Sequence, residues 1–196
     1  MDLKKRAAEQ AEEMLRDKYI ASEKAGTDLG EGRMLDWTKE YAKAWNVGYN
    51  MRHMMDLGDG RKPVYFGIFL DGESATKLRE IVADILPPDW TVYCHHCTLS
   101  FGDPSVDPNV FNYIANTLGT TVSLNAVTLG LSDEVIAVGV TGNVKTRNKV
   151  PHITVATAPG VRPVRANDIR DWKPLPEGIR LNGVVDAYPS HFGWKH

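Results

Sequence analysis

The chain has 196 residues, 42% of them hydrophobic and 24% charged, and a formal net charge of −2. That length supports one domain with its own core plus an extension, and the composition is ordinary for a globular protein. The near-neutral charge argues against broad non-specific adhesion to nucleic acid, though it leaves room for a local basic groove.

The opening Met-Asp-Leu-Lys-Lys-Arg continues polar, without the apolar core of a secretory leader, and no run approaches membrane-span length. A cytoplasmic protein with no membrane association is therefore expected. Leu3, Ala7, Ala11, Met14 and Leu15 recur at helical spacing and predict a helix over residues 3–24. The Gly-rich segment 26–32 interrupts it. A second helix follows, carrying Trp37, Tyr41, Trp45 and Tyr49 four apart on one face. Gly58-Asp59-Gly60 and Pro63 then mark a boundary, giving a helical extension over residues 1–60 and a second domain over 61–196.

The second domain opens with a strand over 64–70, a turn at Asp71-Gly72-Glu73-Ser74 and an amphipathic helix over 75–86, stopped by Pro87-Pro88. A strand over 91–101 comes next, and a short helix over 109–118. Two strands, 122–131 and 135–141, read as a hairpin around Ser132-Asp133. A polar loop leads to a strand over 150–157, a short helix over 166–172 and a final strand over 179–187. Strands and helices mixed in this way predict an α+β fold of two related lobes.

The strands over 91–101 and 150–157 carry the same phrase: His96-Cys97-Thr98-Leu99 and His152-Ile153-Thr154-Val155. Side chains alternate along a strand, so His96 and Thr98 share one face while Cys97 and Leu99 take the other; the second copy divides likewise. Two such strands side by side would bring two imidazoles and two hydroxyls together. Cleaving a phosphodiester needs a base for the attacking oxygen and an acid for the departing one, and histidine serves either role near neutral pH. Threonine hydroxyls can donate to the non-bridging oxygens. No carboxylate cluster suggests a metal, so neither metal nor cofactor is expected.

With its two His-x-Thr-x motifs the chain resembles the 2H phosphoesterase superfamily over roughly residues 64–188. Tyr65-Phe66-Gly67-Ile68-Phe69-Leu70 supplies the opening strand, Pro151 precedes the second motif and 178–187 the closing strand. The resemblance implies two antiparallel sheets forming a groove, with helices outside. It implies His96 and His152 as the acid–base pair and Thr98 and Thr154 as phosphate ligands. Family substrates include cyclic nucleotides and RNA 2′,3′-cyclic phosphate ends in RNA repair. A phage branch destroys cyclic-oligonucleotide immune signals (anti-CBASS activity).

Other residues invite weighing. Cys94-His95-His96-Cys97 has zinc-like residue types, but in a regular strand these side chains divide between two faces. His95 is then expected to cap or pack on the reverse face, with a catalytic role as the lesser alternative, and the two cysteines to remain unbridged. Tyr65 is the favoured stacking partner for a nucleobase, ahead of Trp90, Tyr93, Phe101 and Trp194. Lys145, Arg147 and Lys149, in the loop before the second motif, could steer a phosphate or simply be solvated.

Overall fold

The computed structural model describes residues 3–57 and 60–192. The chain divides into two compact units, residues 1–62 and 63–196. Trp194 and His196 lie outside the described residues.

The described residues of the first unit form three helices: α1 (Leu3–Ala25), α2 (Gly30–Glu40) and α3 (Ala42–His53). Arg33 of α2 clamps Asp17 of α1 with two parallel bonds, Nε to Oδ2 at 2.6 Å and Nη2 to Oδ1 at 3.0 Å. That fork geometry suits guanidinium and carboxylate, and it fixes the crossing of the two helices. The expected second helix is in fact two, broken at Tyr41, so the four-spaced aromatics divide between α2 and α3. No glycine or proline signals that break. Within α3, Trp45 stacks on Tyr49, and the Arg6 guanidinium of α1 lies over the Tyr49 ring. No helix among the described residues is long and apolar enough to cross a membrane.

The second unit is α+β. Its strands are β1 (Tyr65–Leu70), β2 (Thr91–Val92), β3 (His96–Phe101), β4 (Thr121–Leu131), β5 (Val135–Thr141), β6 (His152–Thr157) and β7 (Trp172–Tyr188). Helices α4 (Gly72–Val82) and α5 (Pro108–Thr117) accompany them. Both begin where the sequence supplies a cap. The Asp71 carboxylate accepts from Ser74 N at 2.8 Å, and Asp107 accepts from Asn109 N at 2.9 Å with Pro108 at the first helical position.

All strand pairings are antiparallel and run β6-β3-β1-β7-β4-β5, after which β5 pairs back onto β6. The two sheets implied by the resemblance are therefore one six-stranded closed sheet, with β2 extending the line of β3 along β6. Closure follows from β5, which offers one edge to β4 and the other to β6 and leaves neither for solvent. Phe66, Ile68, Leu78, Val82, Cys97, Leu99, Ile114, Leu124, Ile153, Val155 and Leu181 are fully buried.

Two expectations fail locally. The strand over 91–101 is interrupted at residues 93–95, where Cys94 takes a left-handed φ of 51°. The region 166–172 holds no α-helix: a 3₁₀ turn (Pro163–Asp168) leads through residues 169–171 into β7, which runs seventeen residues. Pro174 and Pro176 hid that strand, because proline is rare where a ladder needs N–H donors. Its register against β4 shifts there, from Ala126↔Ile179 to Thr128↔Pro174, which accommodates the missing donors.

Candidate functional site

β3 and β6 are neighbours, with Cys97 opposite Ile153. That register sets the two motifs side by side, and strand alternation does the rest. Cys97, Leu99, Ile153 and Val155 are buried on one face, while His96, Thr98, His152 and Thr154 line a single cavity of about 800 Å³. Tyr65 lines it too, so the five residues singled out from the sequence share one concave surface.

His152 is 7% exposed. Its Nδ1 lies 2.8 Å from the Val150 carbonyl oxygen, which can only accept, so Nδ1 carries the proton and donates it. The neutral ring therefore keeps the lone pair on Nε2. Burial holds its pKa below the usual histidine value, opposed by the bond to Val150. Behind it stands Trp172, its ring centroid 5.9 Å away and its Nε1 donating to Ile169 O at 3.2 Å.

His96 sits in an aromatic stack. Tyr65 lies against it at 4.8 Å and 22°, and Tyr188 lies against Tyr65 at 5.4 Å and 14°. Phe69 approaches His96 to 5.4 Å. Burial pushes the Tyr65 hydroxyl up to about 12, helped by Tyr188, so it stays protonated at physiological pH. The exposed aromatic surface of the cavity belongs instead to Phe101 (70% exposed) and Tyr188 (49%). Tyr93 also lines the cavity; Trp90 does not.

His95 departs from the expectation that it packs on the reverse face. The left-handed turn at Cys94 breaks the pleat, and His95 lines the cavity beside His96. Their Nδ1 atoms are 3.0 Å apart, with the rings perpendicular at 87°. Cys94 and Cys97 are free and buried, and burial pushes their thiols up to about 11 and about 12. Among the described residues no three His, Cys, Asp or Glu side chains are grouped to hold a metal ion.

The basic loop is tied down. Thr146 Oγ1 donates to Thr98 O at 2.7 Å, Arg147 N to Leu99 O at 2.9 Å, and Arg147 Nη1 to Phe101 O at 3.3 Å. These bonds strap the segment along β3 and bring Asn148 into the cavity wall, while Lys145, Arg147 and Lys149 do not line it. Among the described residues the lining cation is Arg162, which has no motif to mark it in the sequence, accompanied by Asn167, and no carboxylate lines the cavity. The only sequence signal for Arg162 was its place in a loop shortly after the second motif.

No family model matches the chain, and no curated protein matches it. Among solved structures, the crystal structure of a fungal RNA kinase is similar with a TM-score of 0.45 at 14% identity, over 64% of this chain. The similarity spans 45% of that kinase chain, less than half its length.

Proposed function

We propose that the cavity of the second unit is the active site of a phosphodiesterase that hydrolyses a cyclic nucleotide or RNA-type cyclic phosphodiester. The observation carrying this reading is the Cys97–Ile153 register, through which both His-x-Thr pairs line one cavity. A volume of about 800 Å³ suits a nucleotide-sized ligand. The chain would then act as a 2H phosphoesterase, with protons handled by histidines rather than by a metal-bound water.

His152 is assigned as general base. Its Nδ1–H is committed to Val150 O and burial favours the neutral ring, so Nε2 can take a proton from water at neutral pH. The water oxygen bonds to phosphorus and the ring ester bond breaks. His96, as imidazolium, gives its Nε2 proton to the departing ribose oxygen, and the product is an opened phosphomonoester. Thr98 and Thr154 donate to the non-bridging oxygens. Tyr65 supports His96 from behind, and Tyr188 and Phe101 offer faces for a base.

One feature favours a substrate with more than one phosphate. Arg162 lines the cavity and, among the described residues, no carboxylate does, which suits a second anionic group. A cyclic oligonucleotide, the substrate of the phage anti-CBASS branch, has one; a 2′,3′-cyclic RNA end has one on its neighbouring nucleotide.

The test is a chromatographic screen of 2′,3′-cyclic mononucleotides, RNA oligomers ending in 2′,3′-cyclic phosphate, and cyclic di- and trinucleotides, with chelator present. Wild-type protein should open at least one of them, and His96→Ala and His152→Ala should each lose about a hundredfold or more. Tight binding without product would make the domain a nucleotide-binding module. Equal turnover by wild type and both variants would end the hydrolytic reading.

A further inference from the structure

We propose that His95 is a positioning residue for His96: its Nδ1 accepts the Nδ1–H of His96 and so reserves Nε2 of His96 for proton transfer. This rests on the phosphodiesterase reading for its catalytic consequence, but the contact itself can be tested without turnover.

The two Nδ1 atoms are 3.0 Å apart, so a single proton lies between them and one ring accepts. If His96 were the acceptor, its proton would sit on Nε2 and could leave only by creating an imidazolate, which has no place in acid–base chemistry near neutral pH. If His96 donates, it passes between imidazolium and neutral ring by gaining and losing a proton at Nε2 alone. The bond to His95 then persists in both states. Only the second arrangement lets His96 turn over without rebuilding its hydrogen bonds.

His152 is held in the same way, with Nδ1–H donated to Val150 O. Each motif histidine thus has an Nδ1 acceptor, a carbonyl for one and a second imidazole for the other. The backbone is arranged to supply the second. A regular strand would send residue 95 to the face opposite 96, and the left-handed Cys94 turns it back. Leu70 N donates to His95 O at 2.9 Å, and Phe69 packs on the His95 ring at 5.5 Å and 87°, fixing its orientation. Among the described residues, the other titratable or charged groups on the cavity wall are His152, Arg162 and the phenols of Tyr65, Tyr93 and Tyr188.

The test uses the full chain with His95→Phe and His95→Asn. In Asn the amide oxygen stands near the position of Nδ1 and can accept, whereas Phe cannot. Imidazole ¹⁵N spectra should show His96 protonated at Nδ1 in wild type and in His95→Asn, and mixed tautomers in His95→Phe. With the cyclic phosphodiester opened in the screen, His95→Phe should lower kcat by about tenfold or more with KM changed less than about threefold, part of the value of a positioned acid. His95→Asn should recover most of that rate. A wild-type His96 protonated at Nε2 but not Nδ1, or a His96 spectrum unchanged in His95→Phe, overturns the contact. An unchanged kcat in His95→Phe overturns its catalytic role even where His96→Ala is inactive, whereas activity in His96→Ala defeats the enzymatic reading instead.

Discussion

Gly139 stands opposite His152 in the β5–β6 ladder, and the space a side chain would need there is filled by Trp172 and Thr128. A Cβ on Gly139 would come within 3.2 Å of the Trp172 ring and overlap Thr128 Oγ1. Gly130 is under the same constraint, its Cβ position 2.8 Å from that ring. The indole behind His152 therefore exists because two neighbouring strands lack side chains beneath it. Gly139→Ala should cost about 1–3 kcal/mol through overpacking, and its displacement of Trp172 should lower kcat. Urea melts and steady-state rates on the purified variant check both; an unchanged rate would show that His152 does not depend on the indole.

The histidine assignment fixes a pH dependence. The folded-state pKa of His152 lies below its unfolded value of about 6.5. Below about pH 6.5 the unfolded chain therefore binds more protons than the native one, so this residue's contribution to stability falls as pH falls through that window. Above it the contribution is complete. Denaturation midpoints of wild type should decline more steeply between neutral pH and pH 5 than those of His152→Phe. The acid limb of kcat/KM, if His152 is the base, should lie below pH 6.5. A limb above that value would exchange the roles of the two histidines.

Why the motifs were readable and their surroundings were not follows from how local each signal is. Alternation along β3 and β6 needs only a few residues, so the inward Cys97, Leu99, Ile153 and Val155 and the cavity-facing His96, Thr98, His152 and Thr154 were all legible. The closed sheet was not, because the pairing of β5 with β6 joins strands separated by a ten-residue loop, too long to read as a hairpin turn. His95 was misplaced by one backbone angle at Cys94, a residue type that rarely adopts left-handed φ. The upstream half of β7 was masked by its prolines, and with it Trp172 as a neighbour of His152.

The two threonines should matter less than the histidines. Thr154 Oγ1 is 3.5 Å from Pro163 O, a contact at the limit of a hydrogen bond, so its hydroxyl is readily redirected to a ligand. Each Thr→Ala change removes one donor to a charged oxygen, worth about 1.5–3 kcal/mol, so turnover should fall about tenfold to a hundredfold. Thr→Ser should retain most of it. Full activity in Thr98→Ala would remove that hydroxyl from the phosphate site.

Arg162 offers a way to separate binding from chemistry. It is exposed and lines the cavity without a carboxylate among the described lining residues, so its removal should weaken attraction for anionic substrate without altering either proton transfer. Arg162→Ala should raise KM several-fold for a cyclic di- or trinucleotide while kcat changes little, and the effect should shrink as salt screens the charge. A 2′,3′-cyclic mononucleotide, with a single phosphate, should be affected less. Equal loss on both substrate classes would mean that Arg162 serves the reacting phosphate itself, and a loss confined to kcat would place it in the transition state rather than in recognition of a second anion.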